Sequence, residues 1–160
     1  MSRTKPLGAG EVRVAEAPAR LTIHGLGSCV AVFVYDAEAR VGGMAHILLP
    51  GPPREPGEHG GRYATTGVAA VVAESIRRGA RRDALLAKVT GGSRMFAYGA
   101  GKGRPTVGDK NVEAALTALR EAGVQIVAAD VGGDRGRTVV ADLQDGSLTI
   151  TTVSGGSKVV

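Results

Sequence analysis

Gly25-Leu26-Gly27-Ser28-Cys29 is a small-residue turn that runs straight into the apolar segment Val30-Ala31-Val32-Phe33-Val34-Tyr35. Val41-Gly42-Gly43-Met44-Ala45-His46-Ile47-Leu48 follows after the short stretch Asp36-Ala37-Glu38-Ala39-Arg40. Both segments are β-rich and the connection has the length of a hairpin loop, so residues 30–36 and 41–48 are predicted to pair as an antiparallel hairpin. No Asn-Gly pair fixes the register. If the paired residue numbers sum to 75, Cys29 lies opposite His46; if they sum to 77, the two are diagonal neighbours. Either register puts both on one face, with Cβ separations of roughly 5 Å or 7–8 Å. An even sum would put them on opposite faces.

Cys29 is the only cysteine in the chain, so it forms no internal disulfide, and the glycines before it leave room for a reactant to approach its sulfur. A thiolate is a nucleophile, and an imidazole within hydrogen-bond reach can take the thiol proton and later deliver it to a leaving group. That is the chemistry of acyl transfer. A paired imidazolium would also keep the thiol reactive well below its usual pKa of about 8.5. The plain alternatives are an inert buried cysteine and a histidine satisfied by backbone. Cys29 and His46 together favour chemistry. His24, which precedes the turn, and His59, in the Pro/Gly-rich stretch, are weaker candidates.

Outward from the hairpin, the pattern predicts a short strand near residues 11–14, a segment at 21–24 and a loop over 50–61. A helix begins near Thr66 with Gly79 as its C-cap, and a strand follows at 85–90. Residues 111–122 carry Val112, Leu116 and Leu119 on one helical face, ended by Gly123. A buried strand at 124–129 and a final hairpin at 138–152, turning at Asp145-Gly146, complete the reading. Strands outnumber helices. The expected class is therefore α/β (α+β): a layered sandwich with a mixed β-sheet, helices packed on it and the Cys/His hairpin. With 160 residues, 43% of them hydrophobic, the chain is one domain's worth. Residues 1–8 and 154–160 are expected to be flexible tails.

Composition narrows the function. The first residues lead into glycine and charge rather than an apolar signal core, and no apolar run approaches membrane-spanning length. A cytoplasmic location, where a free thiol stays reduced, is expected. The net charge of +5 and the cluster Arg77, Arg78, Arg81 and Arg82 raise the question of nucleic acid. Two phenylalanines, three tyrosines and no recognisable binding motif argue against it. These arginines follow the apolar stretch 69–76, where cations at a helix C-terminus are favoured. They could also meet an acidic protein partner.

The glycine-rich segments do not make a nucleotide site. Around Gly99-Ala100-Gly101-Lys102-Gly103, Phe96 stands where a P-loop needs glycine and Gly103 where it needs Ser or Thr. Val30 stands where a dinucleotide fingerprint after Gly25 and Gly27 needs its third glycine. Three histidines and one cysteine show no metal-ligand spacing, so no cofactor is expected. Gly91-Gly92-Ser93 and Gly132-Gly133-Asp134 each follow a strand, as turns or as loops whose N–H groups line a cleft. Amide hydrolysis needs two donors for the developing oxyanion, and the Ser28 and Cys29 amides are nearest. Gly27, Ser28, Gly91 and Gly92 are the candidate substrate and oxyanion positions.

Taken in order, Gly25 to Val32, Gly42 to Pro50, Arg62-Tyr63, Ala87 to Gly92, Gly108 to Glu113 and Asp130 to Arg137 resemble the CheD family, the chemoreceptor glutamine deamidases of bacterial and archaeal chemotaxis. The resemblance implies a layered α/β fold, Cys29 as nucleophile and His46 as its base. It implies as substrate a surface glutamine on the long helical cytoplasmic region of a methyl-accepting chemoreceptor, with a glutamate methyl ester chemically close. CheD relatives also bind and stimulate a CheC-type phosphatase, so an adaptor role is the alternative. One position departs from the family pattern. The family's threonine, six residues before the cysteine, is Ile23 here, and Thr22 lies one residue earlier. On a strand, that offset turns the side chain to the other face. A backbone carbonyl or a local bulge are the other means of holding the imidazole.

Overall fold

The computed structural model describes residues 3–55, 57, 60–95, 103–153 and 155–160. In chain order its elements are β1 (Thr4–Pro6), β2 (Val12–Glu16), β3 (Arg20–Leu26), β4 (Val30–Asp36), β5 (Val41–Ile47), α1 (Ala64–Arg78), β6 (Leu86–Gly91), α2 (Val107–Glu121), β7 (Gln125–Val131), β8 (Arg137–Asp142), β9 (Leu148–Thr152) and β10 (Gly156–Val159). The strands form two sheets, ordered β1-β3-β8-β9-β10 and β2-β5-β4-β6-β7. Each is mixed, because β1 runs parallel to β3 and β6 parallel to β7 while the other pairings are antiparallel.

The apolar run that opens the hairpin is explained by burial on both faces. Val30, Val32 and Val34 of β4 join α1 and α2 in one core, whereas Ala31, Phe33 and Tyr35 join Leu21, Ile23, Val139 and Ile150 in a second. A central strand sandwiched in this way loses the polar alternation of a half-exposed one. The protein is thus three layers: two helices, the β4-centred sheet and the β3-centred sheet.

Two expectations are corrected here. The strands divide between two stacked sheets, where one mixed sheet was predicted. The chain ends, read as flexible tails, instead carry β1 and β10, the outer strands of the second sheet. Their sequences are short and polar because an edge strand needs only backbone to pair.

The hairpin turn is built without Asn-Gly. The carboxylate of Asp36 accepts from the N–H groups of Glu38, Ala39 and Arg81. Burial alone would raise its pKa, but these backbone donors outweigh that and hold it below the usual value. Of the arginine cluster, Arg77 and Arg78 occupy the last turn of α1, and Arg82 caps the end of α2 by donating to the Ala122 carbonyl at 2.7 Å. Arg81 lies within 3.7 Å of Glu38 and 3.5 Å of Asp83. Helix α2 begins four residues before the sequence-based estimate, at a reciprocal capping box between Thr106 and Asp109. No helix among the described residues is long and apolar enough to cross a membrane.

Candidate active site

Cys29 occupies a bend immediately before β4, half-buried against the core between the sheets. The strand leading to it is irregular: the β3–β8 register shifts between Ile23 and Leu26, and Gly25 takes the left-handed backbone, φ +66°. The loop after β6 then clamps the turn. The Gly92 N–H donates to the Cys29 carbonyl at 2.8 Å and the Ser93 N–H to the Gly27 carbonyl at 2.9 Å. Gly92 is thereby committed to the turn, and its amide is spent. Ser93 is anchored in its own right, its hydroxyl donating to the Arg135 carbonyl and accepting from buried Arg137, each at 2.7 Å. Met95, half-exposed, borders the turn, since a Cβ on Gly27 would lie 3.1 Å from its Cγ.

His46 enters on β5. The β4–β5 pairs include Ala31 with His46 and Val30 with Ile47, the register in which paired numbers sum to 77. His46 pairs with Ala31, and Cys29 lies in the bend just beyond the last paired residues, Val30 and Ile47. By strand alternation His46 shares the face of Met44, which belongs to the core between the sheets. Its backbone is pinned by the segment before β2, with its N–H donating to Glu11 at 3.0 Å and its carbonyl accepting from Gly10 at 2.9 Å.

Burial pushes the His46 pKa below the ordinary histidine value, while the backbone of Leu7 and Gly8 and the Glu11 carboxylate work in the opposite direction. Burial likewise pushes the Cys29 thiol up, opposed by its own N–H. Both shifts favour the uncharged forms of the two groups. The Nδ1 atom of His46 is buried and has no hydrogen-bond partner among the described residues.

The remaining sequence candidates fall as follows. Ile23 is fully buried in the core between the sheets, on the face of β3 shared with Leu21. Thr22 alternates away from it, and its hydroxyl donates to the Val139 carbonyl of β8 at 2.8 Å. His24 is exposed on β3, and His59 lies outside the described residues, as does residue 96–102 of the glycine-rich stretch. Asn111, which opens the sequence-predicted helix and lies in the Gly108–Glu113 block that resembles CheD, is not among the sequence-predicted site residues. Its side chain reaches across to donate to the Ser28 carbonyl at 3.0 Å and the Leu48 carbonyl at 2.9 Å. The available signal was a polar residue beside the apolar face Val112, Leu116 and Leu119.

Comparison with known proteins places this architecture. Residues 48–152 match the family described as CheD chemotactic sensory transduction. A probable chemoreceptor glutamine deamidase CheD from Desulfitobacterium hafniense is 38% identical over the full length of both chains. The chain belongs to the CheD family. Probable chemoreceptor glutamine deamidases CheD from Methanococcus vannielii (40% identical, covering 88% of this chain and 90% of the relative) and Symbiobacterium thermophilum (38%, covering 96% and 95%) extend the likeness across archaea and bacteria. The family match takes in the Gly91–Ser93 loop and Asn111 but begins just after His46. The full-length likeness to CheD relatives spans the Cys29 turn as well.

Proposed function

We propose that this CheD-family chain is a protein-glutamine deamidase acting on chemoreceptors, with Cys29 as nucleophile and His46 as general base and acid. The observation that carries this reading is the β4–β5 register, which supports a thiol and imidazole at the end of the hairpin. His46, neutral at rest, takes the Cys29 proton as the sulfur attacks the carboxamide carbon of a substrate glutamine. The tetrahedral intermediate expels ammonia, which leaves with the proton returned by the imidazolium. Water, deprotonated by His46, then hydrolyses the thioester to release glutamate and the free thiol. The N–H groups of Ser28 and Cys29 make no backbone hydrogen bond to another described residue, which supports them as the oxyanion donors.

The test is incubation with a receptor cytoplasmic fragment and peptide mass spectrometry for Gln converted to Glu. Unchanged glutamine at all sites under conditions where the protein is folded would sink the reading. The pH profile checks the neutral pair. The acid limb of kcat/KM reports the base of the free enzyme, which must lose its proton to act, so it should lie below the ordinary histidine value of 6.5. An acid limb at or above that value would contradict a buried neutral imidazole.

Thr22 has a structural role in this reading, because its hydroxyl is engaged with Val139. Thr22→Ala should lower stability by about 1 kcal/mol, measured by denaturant unfolding, and leave kcat of the folded protein unchanged. Ile23→Thr introduces a hydroxyl on the face that His46 shares. It should raise kcat by up to about tenfold, at a packing cost of about 1 kcal/mol or more. The reverse pattern, with Thr22→Ala inactive and Ile23→Thr without gain, would make Thr22 the orienting residue.

A second reading has one observation in its favour: the apolar Ile23 where the family carries a hydroxyl. In it, the chain serves chiefly as an adaptor that binds and stimulates a CheC-type phosphatase. Phosphatase stimulation by wild-type protein that converts no receptor glutamine would select it.

A further inference from the structure

We infer that Asn111 is a positioning residue that fixes the nucleophile turn against the end of the histidine strand; the inference rests on the reading of Cys29 and His46 as the reacting pair. The β4–β5 ladder ends at Val30 and Ile47. Beyond it, Ser28 and Cys29 turn away on one side, and on the other the Leu48 N–H donates to the Arg62 carbonyl. No rung of the sheet ties the two segments together where the chemistry occurs. Asn111 takes the place of that rung. Its carboxamide nitrogen donates to the carbonyl of Ser28, the residue before the nucleophile, and to that of Leu48, two residues after the base.

The side chain is fully buried and its own position is rigid. Helix α2 is locked at its start by the Thr106–Asp109 capping box and by Arg94, whose guanidinium donates to Asp109 at 3.1 Å. Gly108 packs so closely on the loop that a Cβ there would come within 2.5 Å of the Gly92 carbonyl. The same helix start therefore contacts both the loop that clamps Cys29 and the carbonyl preceding it.

Filling the core does not by itself account for the choice of asparagine. The Oδ1 atom of Asn111 is buried with no hydrogen-bond partner among the described residues. Such an atom is a cost that an apolar side chain of similar volume would not carry, although the two carbonyls would then lose a donor. Asparagine at this point is better explained by where its two N–H groups hold the backbone.

The test uses the full chain with Asn111→Leu and Asn111→Asp, each made in wild-type and His46→Ala backgrounds. Leu119→Ala, a core substitution on the same helix, is the control for loss of stability alone. Deamidation kinetics on a receptor fragment should show kcat lower by about 10–100-fold in either Asn111 variant with KM changed less than about threefold, since displacement by a fraction of an ångström to 1 Å costs rate rather than binding. Iodoacetamide alkylation of Cys29 should slow several-fold when His46 is present and change less than about twofold when it is absent, because the effect passes through the pair. Leu119→Ala should lower the melting temperature with kcat and alkylation unchanged. Folded Asn111→Leu with wild-type kcat and alkylation, or an equal alkylation effect in both backgrounds, overturns the inference. Absence of Cys29-dependent conversion by wild-type protein is instead the failure of the deamidase reading. In that case the alkylation comparison still decides whether Asn111 positions the pair.

Discussion

Cys29→Ala protein, folded and at high concentration, is expected to leave every glutamine of a receptor fragment unconverted, the largest effect of any single substitution in the chain. No other cysteine exists to replace the thiol. The neighbouring Ser28 offers only a hydroxyl, a far weaker nucleophile at neutral pH. His46→Ala should reduce the rate by about 10²–10⁴-fold rather than abolish it, because a buried thiol still ionises to a small extent and the oxyanion donors remain. The order of the two effects is itself informative. Since burial raises the Cys29 pKa and lowers that of His46, the resting thiol depends on the base to lose its proton at the moment of attack. A His46→Ala variant that matched wild-type kcat would mean that the thiolate is generated by another group. Conversion that persisted in Cys29→Ala would remove the thiol from the mechanism altogether. Both are read by the same mass-spectrometric assay.

How much of this was legible in the chain differs between fold and site. The β4 run was readable because burial on both faces leaves six consecutive apolar residues, and α1 was readable because its face is periodic and Gly79 ends it. The second sheet was not. Leu21 and Ile23, Val139 and Ala141, Leu148 and Ile150 alternate inward in the same manner whether their strands join the β4 sheet or stack upon it, and the choice is made by pairings more than 100 residues apart. The end strands were missed because pairing by backbone leaves no apolar signature in 4–6 or 156–159. At the site, sequence offered Cys29 and His46 as candidates but left the hairpin register open, since the turn is set by the buried Asp36 carboxylate rather than by a recognised turn dipeptide. Asn111 was out of reach for a different reason: its partners, Ser28 and Leu48, lie 83 and 63 residues away, and nothing in a helical period announces them.

Gly91→Ala is the other substitution expected to have a large effect, here on fold and chemistry together. Gly91 closes β6 with φ +109°, a region that side chains with a Cβ adopt only under strain. A Cβ on it would sit 2.3 Å from the Cys29 carbonyl oxygen and 2.9 Å from Cδ2 of Leu26. The first contact is with backbone and cannot be relieved by a rotamer change, so either the Cys29 turn or the end of β6 must move. Backbone strain alone costs about 1–3 kcal/mol, and overpacking in a filled core adds about as much again. Displacing the carbonyl also breaks its bond from the Gly92 N–H, which ties the Cys29 turn to the loop after β6. The expected outcome is a loss of about 3 kcal/mol or more in denaturant unfolding, with kcat lowered about 100-fold in the protein that remains folded. Gly132→Ala separates strain from contact. Gly132 has φ +82° but no atom within 4 Å of an added Cβ, so it should lose only the conformational part and keep full activity. If the two variants lose the same stability and both retain wild-type kcat, the close approach of β6 to the Cys29 carbonyl is not what fixes the nucleophile.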